Sequence, residues 1–415
     1  MSAARPPEGA HTAGEGKGIP VNAFRTSIEA PHGVAHSASS DAEARNQYFD
    51  RLFGNPGLMW LGQNTNHLPM HPAVRKALHD AIDDESFHAY APPLGMEALR
   101  SAIVADLGVP QQSAVVTDGA VSALALACRA FCVAGKGFVS TDPGWKWPLQ
   151  FAAKAGSAIT EIPIYGPEHG FKLSAQALAA STDENTSVIY LVDPNNPLGT
   201  VHTEDEIRAF AQRAREIGAI LIHDCTYRDF ADSHTLAARF YPQGSVTIVS
   251  FSKWLGLAGL RLGALVASPG LLARILPHSQ APLGASVLAQ RAAIAGLAVK
   301  GEWMARVIAQ QRENQRMIAG AFAKLPGFAV PVFPSQANFI VVECSASGVT
   351  PEALVAALGE HGIMVRQGTY HTPRFGHRFV KISTTVPKAW AQALCQVLPQ
   401  AVGRARNLPA TAALF

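Results

Sequence analysis

Val246-Thr247-Ile248-Val249-Ser250-Phe251-Ser252-Lys253 runs from a β-branched apolar tetrapeptide straight into two serines and a lysine, and Gly259-Leu260-Arg261-Leu262-Gly263 follows closely. The apolar run predicts a buried strand, and a lysine at such a strand end must be paired or reactive. A desolvated lysine amine is the nucleophile that forms Schiff bases with carbonyl compounds. The alternative for an isolated Ser-x-Ser-Lys is a lysine on a surface turn.

Working outward, further short runs of Val and Ile alternate with amphipathic stretches. They are Ala114-Val115-Val116, Gly137-Phe138-Val139-Ser140, Val188-Ile189-Tyr190-Leu191-Val192, Ala219-Ile220-Leu221-Ile222 and Gly263-Ala264-Leu265-Val266, with a weaker one at Ile159–Ile164. This alternation predicts an α/β fold with a mostly parallel seven-stranded sheet covered on both faces. Ligands bind such sheets at the carboxyl ends of the strands. Beyond residue 300 a long helical pattern (301–324) precedes strands at 338–342, 363–366 and 379–382 and helices near 351–361 and 387–398, the alternation of a small α+β domain. The expected organisation is an N-terminal arm (1–45), a segment contributing to the small domain (46–75), a large domain (76–300), and a linking helix with the small domain (301–415). The Gly/Pro-rich arm is expected to be disordered or extended, either loose or crossing onto a partner subunit.

The chain has 415 residues, 48% hydrophobic, with a net charge of +3 and its charges mixed along the length, so neither nucleic acid nor a membrane is implied as a partner. No apolar stretch approaches the roughly 18 residues of a membrane span. The five cysteines lack zinc-site or disulfide-framework spacing, so no metal is expected and a cytoplasmic setting fits best.

Three further segments sit just past predicted strands. Thr117-Asp118-Gly119-Ala120-Val121-Ser122 opens a helix, where small residues let backbone N–H groups approach an anion. Asp224-Cys225-Thr226-Tyr227 places a carboxylate at a buried strand end, costly unless it meets a cation. A helix cap is the alternative for Asp224. Asp193-Pro194-Asn195-Asn196-Pro197-Leu198-Gly199 is a loop stiffened by prolines.

In their order from about Asn64 to Ser383, these pieces resemble the class I/II aminotransferases, fold-type I enzymes that use pyridoxal 5'-phosphate, including the histidinol-phosphate- and aspartate-aminotransferase-like members. The resemblance implies that Lys253 forms the Schiff base, Asp224 keeps the pyridine ring protonated, and Tyr227 and Asn196 bind the ring hydroxyl oxygen. It implies that Gly119, Ala120, Val121, Ser250, Ser252 and Arg261 hold the phosphate and that Trp145 stacks on the ring, with Trp147 as the competing aromatic. Tyr90 would reach a neighbouring subunit's phosphate, making the protein a homodimer. Asn64, Asn66, Asn338 and Lys381 would face an amino acid or its 2-oxo acid. Apart from the resemblance, Arg366 lies in a basic stretch before Lys381 that reads either as a contact to a polar or anionic substrate side chain or as a solvated loop. Two positions depart from the pattern: Asp193 replaces the first asparagine of the Asn-Pro-x-Asn-Pro loop, and Lys381 replaces the arginine that clamps the substrate carboxylate. Lysine cannot make the bidentate fork. This keeps open a second reading, a lyase, decarboxylase, racemase or capreomycidine-synthase-like cyclase on the same cofactor.

Overall fold

The computed structural model describes residues 41–408. The first forty residues of the expected arm lie outside them, and a helix at Asp41–Phe53 already covers the arm's last five. That helix belongs to a compact unit ending at Gly54, and the remainder of the chain forms a second unit.

In the second unit, the seven apolar runs become β2 (Ser113–Thr117), β3 (Gly137–Asp142), β4 (Ala158–Pro163), β5 (Thr186–Val192), β6 (Ile220–Asp224), β7 (Ser245–Ser250) and β8 (Gly263–Ala267), following a short β1 (Met59–Trp60). Their order in the sheet is β2-β8-β7-β6-β5-β3-β4. Only β8 runs against its neighbours, so the carboxyl ends of the other six strands share one edge. The central strands β5 to β8 are buried almost throughout because helices cover both faces, which is why they read as unbroken apolar runs. Several helix starts are marked by side-chain caps, most completely at Thr203, whose hydroxyl and Glu206 form a reciprocal capping box for Glu204–Glu216.

The C-terminal part supplies β9 (Phe339–Glu343), β10 (Ile363–Met364), β11 (Arg366–Gln367) and β12 (Phe379–Ser383). Strands β11, β12 and β9 form an antiparallel sheet in that order, and β1 pairs with β10. Their core, with Leu61, Phe322, Ile340, Leu354, Ile382 and Leu394, is separate from those of the large sheet. The 23-residue helix Lys300–Phe322 links the two, with Trp303 and Val307 in one core and Ile318 and Phe322 in the other. After β1 the chain crosses from the small sheet: Ser383 N–H donates to Leu61 O at 2.6 Å, and Asn64 N–H donates to Ser383 Oγ at 2.8 Å.

Candidate active site

Both serines and the lysine of the opening stretch lie where β7 ends. Lys253 is partly buried, and its Nζ donates to the Gln63 carbonyl at 3.1 Å. Burial, with the Arg261 charge nearby, lowers its amine to about 8. A substantial neutral fraction therefore exists near physiological pH, as a nucleophile or proton acceptor needs.

Asp224 ends β6. Tyr190 OH donates to its Oδ2 at 3.0 Å, and the Thr226 hydroxyl and N–H donate to its Oδ1 at 2.6 and 3.1 Å. Sequence reasoning missed Tyr190 and Thr226. Tyr190 stands opposite Ile222, two residues before the Val192–Asp224 pair, so strand parity aims its ring at the carboxylate's face. All of these donors are neutral. Burial thus pushes the Asp224 carboxyl up, against the pull of its hydrogen bonds. A cation delivered by a ligand would relieve that cost.

Tyr227 is buried, and its hydroxyl accepts from Asn64 Nδ2 at 2.9 Å. Burial also raises the Tyr227 phenol. Asn64 holds the left-handed conformation (φ 55°), which asparagine tolerates better than most residues. Asn338, expected at a substrate carboxylate, uses both amide hydrogens on Asn64 O (2.9 Å) and Thr385 Oγ1 (2.8 Å), so here it braces Asn64. Asn66 is likewise tied to the backbone, through Trp254 O and Leu68 N.

The turn after β2 is built for close approach. Gly119 has φ 85°, and a Cβ there would lie 2.5 Å from Arg261 Nη2. Gly263, on β8, must also lack a side chain, since a Cβ would meet Ala120 N at 2.4 Å. No side chain caps the helix Ala120–Phe131, and its first N–H groups, on Ala120 and Val121, have no backbone acceptor while those of Ser122 and Ala123 bond Gly119 O. An uncapped helix start beside a guanidinium is an anion site. Ser250 Oγ accepts from Ser252 N–H at 3.2 Å on the same side. Trp145 is partly buried, with its ring centroid 6.5 Å from that of Tyr370; Trp147 instead stacks on Phe151. Tyr90 is 82% exposed.

The side that the small sheet contributes is cationic. Lys381 and Arg366 are register partners across β12 and β11, both buried. Lys381 Nζ donates to Asn196 Oδ1 at 3.4 Å, joining the small sheet to the proline loop after β5. The Arg366 guanidinium lies over the Tyr370 ring at 4.6 Å.

Asp193 turns away from this group. His202 Nδ1 and N–H donate to its Oδ1, each at 3.0 Å, and His234 Nε2 and His223 Nε2 lie 3.2 and 3.6 Å from its Oδ2. Burial pushes this carboxyl up, but the three imidazoles more than offset it and hold it well below the usual range. His223, Cys225 and His234 bring ligand-type atoms within 4.8 Å of one another. Nδ1 of His223 accepts the Ala237 N–H, however, which leaves the ring proton on Nε2 and no lone pair for an ion.

The parts suit pyridoxal phosphate: an anion cradle, a buried carboxylate awaiting a cation, and a buried amine of lowered basicity. Known proteins agree. The model of the family "Aminotransferase class I and II" matches residues 56–398. A histidinol-phosphate aminotransferase 2 of Ralstonia nicotianae is 30% identical over 335 residues, covering 79% of this chain and 84% of the relative. An aromatic amino acid aminotransferase of Corynebacterium jeikeium is 30% identical over 317 residues, covering 75% and 82%. The solved N-succinyldiaminopimelate aminotransferase of Mycobacterium tuberculosis shares the fold, with a TM-score of 0.77 at 22% identity over 88% of this chain and all of that one. The chain belongs to the class I and II aminotransferases, fold-type I transferases of amino groups that depend on pyridoxal phosphate.

Proposed function

We propose that this aminotransferase moves an amino group between an amino acid and a 2-oxo acid at the edge where β5, β6 and β7 end, with Lys253 as the cofactor lysine. The observation that carries this is that a lysine amine lowered to about 8 follows β7 while the adjacent strand β6 ends in a buried carboxylate whose partners among the described residues are neutral. Bound there, pyridoxal phosphate supplies an electron sink for the substrate's α-carbon. Asp224 holds a proton on the ring nitrogen. Tyr227 and Asn196 orient the ring through its hydroxyl oxygen, and Trp145 covers one face. The N–H groups of Ala120 and Val121, with Gly119, Arg261, Ser250 and Ser252, hold the phosphate. The Lys253 amine, when not bonded to the cofactor, would take the α-proton and return it to the cofactor carbon derived from the aldehyde. Lys381 receives the substrate carboxylate, Arg366 a second polar or anionic group, and Asn64 with Asn66 shapes the entry.

The domain division proposed is a large domain (76–300) and a small one (301–415 with 46–75), consistent with the separate core around β9 to β12. Exposed Tyr90, with Ile82, Phe87 and Leu283, supports a homodimer in which Tyr90 reaches the neighbouring phosphate. Five free cysteines support a cytoplasmic enzyme, and among the described residues no helix is long and apolar enough to cross a membrane.

The test is a half-reaction. An amino acid added alone should bleach the absorbance of the bound cofactor and yield one equivalent of its 2-oxo acid. Bleaching without a 2-oxo acid, or product of unchanged oxidation state, would instead favour the lyase, racemase or cyclase reading that Lys381 keeps in view. Lys253→Ala should abolish steady-state turnover; retained turnover rejects the assignment.

A further inference from the structure

The amine assigned above to the substrate carboxylate has unusual surroundings. Lys381 is only 3% exposed. Its one hydrogen bond among the described residues is the long contact to Asn196 Oδ1, 3.4 Å. Among the described residues the charged groups that act on it are cations: Arg366, directly across the β11–β12 pair, and Lys253. From the adjacent turn comes His371, whose imidazole is pushed well below its usual value by burial first and then by the Lys381, Arg366 and Lys146 charges. From β9 comes only apolar surface, Val341 in register and the Phe339 ring 5.2 Å from Nζ. A buried ammonium with no anion beside a permanent guanidinium is costly, and shedding its proton is the least expensive relief.

We propose that Lys381 is a proton-coupled anchor for the substrate carboxylate, an amine that takes up a proton as the anion arrives. The proposal rests on the transaminase reading above, because the anion is that of the amino or 2-oxo acid. Burial and Arg366 lower the amine in the empty site, as does Lys253 when its own amine is free, and a carboxylate against Nζ raises it again. By linkage, affinity is highest while the empty-site amine is still protonated. It falls by about tenfold per pH unit from there up to the pKa of the occupied site. An arginine has no such limb, since it never deprotonates. The exchange of arginine for lysine thereby makes carboxylate binding itself pH-dependent.

Two measurements on the coloured holoenzyme test this. The first is kcat/KM against pH for the amino acid found in the half-reaction, in wild type, Lys381→Arg and Lys381→Met. Titrating the cofactor's own absorbance in each protein separates the limb due to Lys253. Wild type should show an alkaline fall of about tenfold per pH unit that is absent from Lys381→Arg. Lys381→Met should be weak at every pH and also lack the fall. The second is calorimetry of the matching 2-oxo acid binding to wild type, in buffers of different ionisation enthalpy. Proton uptake is expected. A limb shared by wild type and Lys381→Arg, or binding without proton uptake, overturns the proposal and leaves the transaminase reading intact. Failure of the half-reaction would remove the transaminase reading itself.

Discussion

Asp193 and Asp224 stand at the ends of neighbouring strands, joined by a backbone hydrogen bond from Asp193 N–H to Asp224 O, and both are buried. Their surroundings are opposite. Asp193 is ringed by His202, His223 and His234, while among the described residues Asp224 meets the Tyr190 and Thr226 donors alone. Burial raises Asp224, whereas imidazoles overcome burial and lower Asp193. A carboxylate already compensated by the protein holds structure together. One left short of a cation is ready for a ligand.

The sharpest way to break this contrast is Asp224→Asn. Activity should fall on the order of 10³-fold, the scale of losing one preorganised electrostatic group. Stability of the cofactor-free protein should hold or rise, since a costly buried carboxylate is gone. Comparable activity in the variant would mean that the uncompensated carboxylate has no ligand partner.

Asp193→Asn should show the reverse ranking. It leaves three imidazoles without their anion, so unfolding in denaturant should register a loss of about 3 kcal/mol. The activity loss should be smaller than for Asp224→Asn. Equal stability of wild type and Asp193→Asn would show that the histidines do not compensate the carboxylate.

The pH dependence separates the two by sign. The depressed Asp193 contributes stability above the ordinary carboxylate value of 3.8, lost as pH falls through its lower folded value. The raised Asp224 acts on the other side: relative to Asp224→Asn, the cofactor-free wild type should lose stability as pH rises above 3.8 and level off past the folded value. Burial also lowers His223 from 6.5, so stability should decline further as pH falls below that value. Denaturant titrations across this range give both slopes, and a shared sign would refute the distinction.

The smallest expected effect is that of Tyr190→Phe, which removes one neutral hydrogen bond from Asp224. A loss of about 1 kcal/mol, roughly fivefold in cofactor affinity, is expected by equilibrium titration. A loss as large as that of Asp224→Asn would give Tyr190 a direct part in the chemistry.

Much of this was legible in the chain. All seven apolar runs became strands of one sheet, most plainly β5 to β8, because a strand buried on both faces has no reason to carry polar residues; the weaker run became the edge strand β4, which is largely exposed. Gly119, Asn196, Asp224 and Lys253 could be picked out because each follows such a run, and the geometry brings the strand ends to one edge. Asn338 was harder: its position near the site was readable, its engagement by Asn64 and Thr385 was not. Tyr190 was hidden inside an apolar run, where its hydroxyl left no signal.

The sequence alone determined the order of chemical groups along the chain and the strand that delivers each one, since local periodicity and turn residues fix where strands end. Only the tertiary structure decided which charges meet. It set Lys381 against Arg366 through one strand register, and it gathered three histidines from separate segments around Asp193 but none around Asp224. The physical reason is that a charge's energy depends on its neighbours in space within a few ångströms, and for these groups nearly all of those neighbours are remote in sequence.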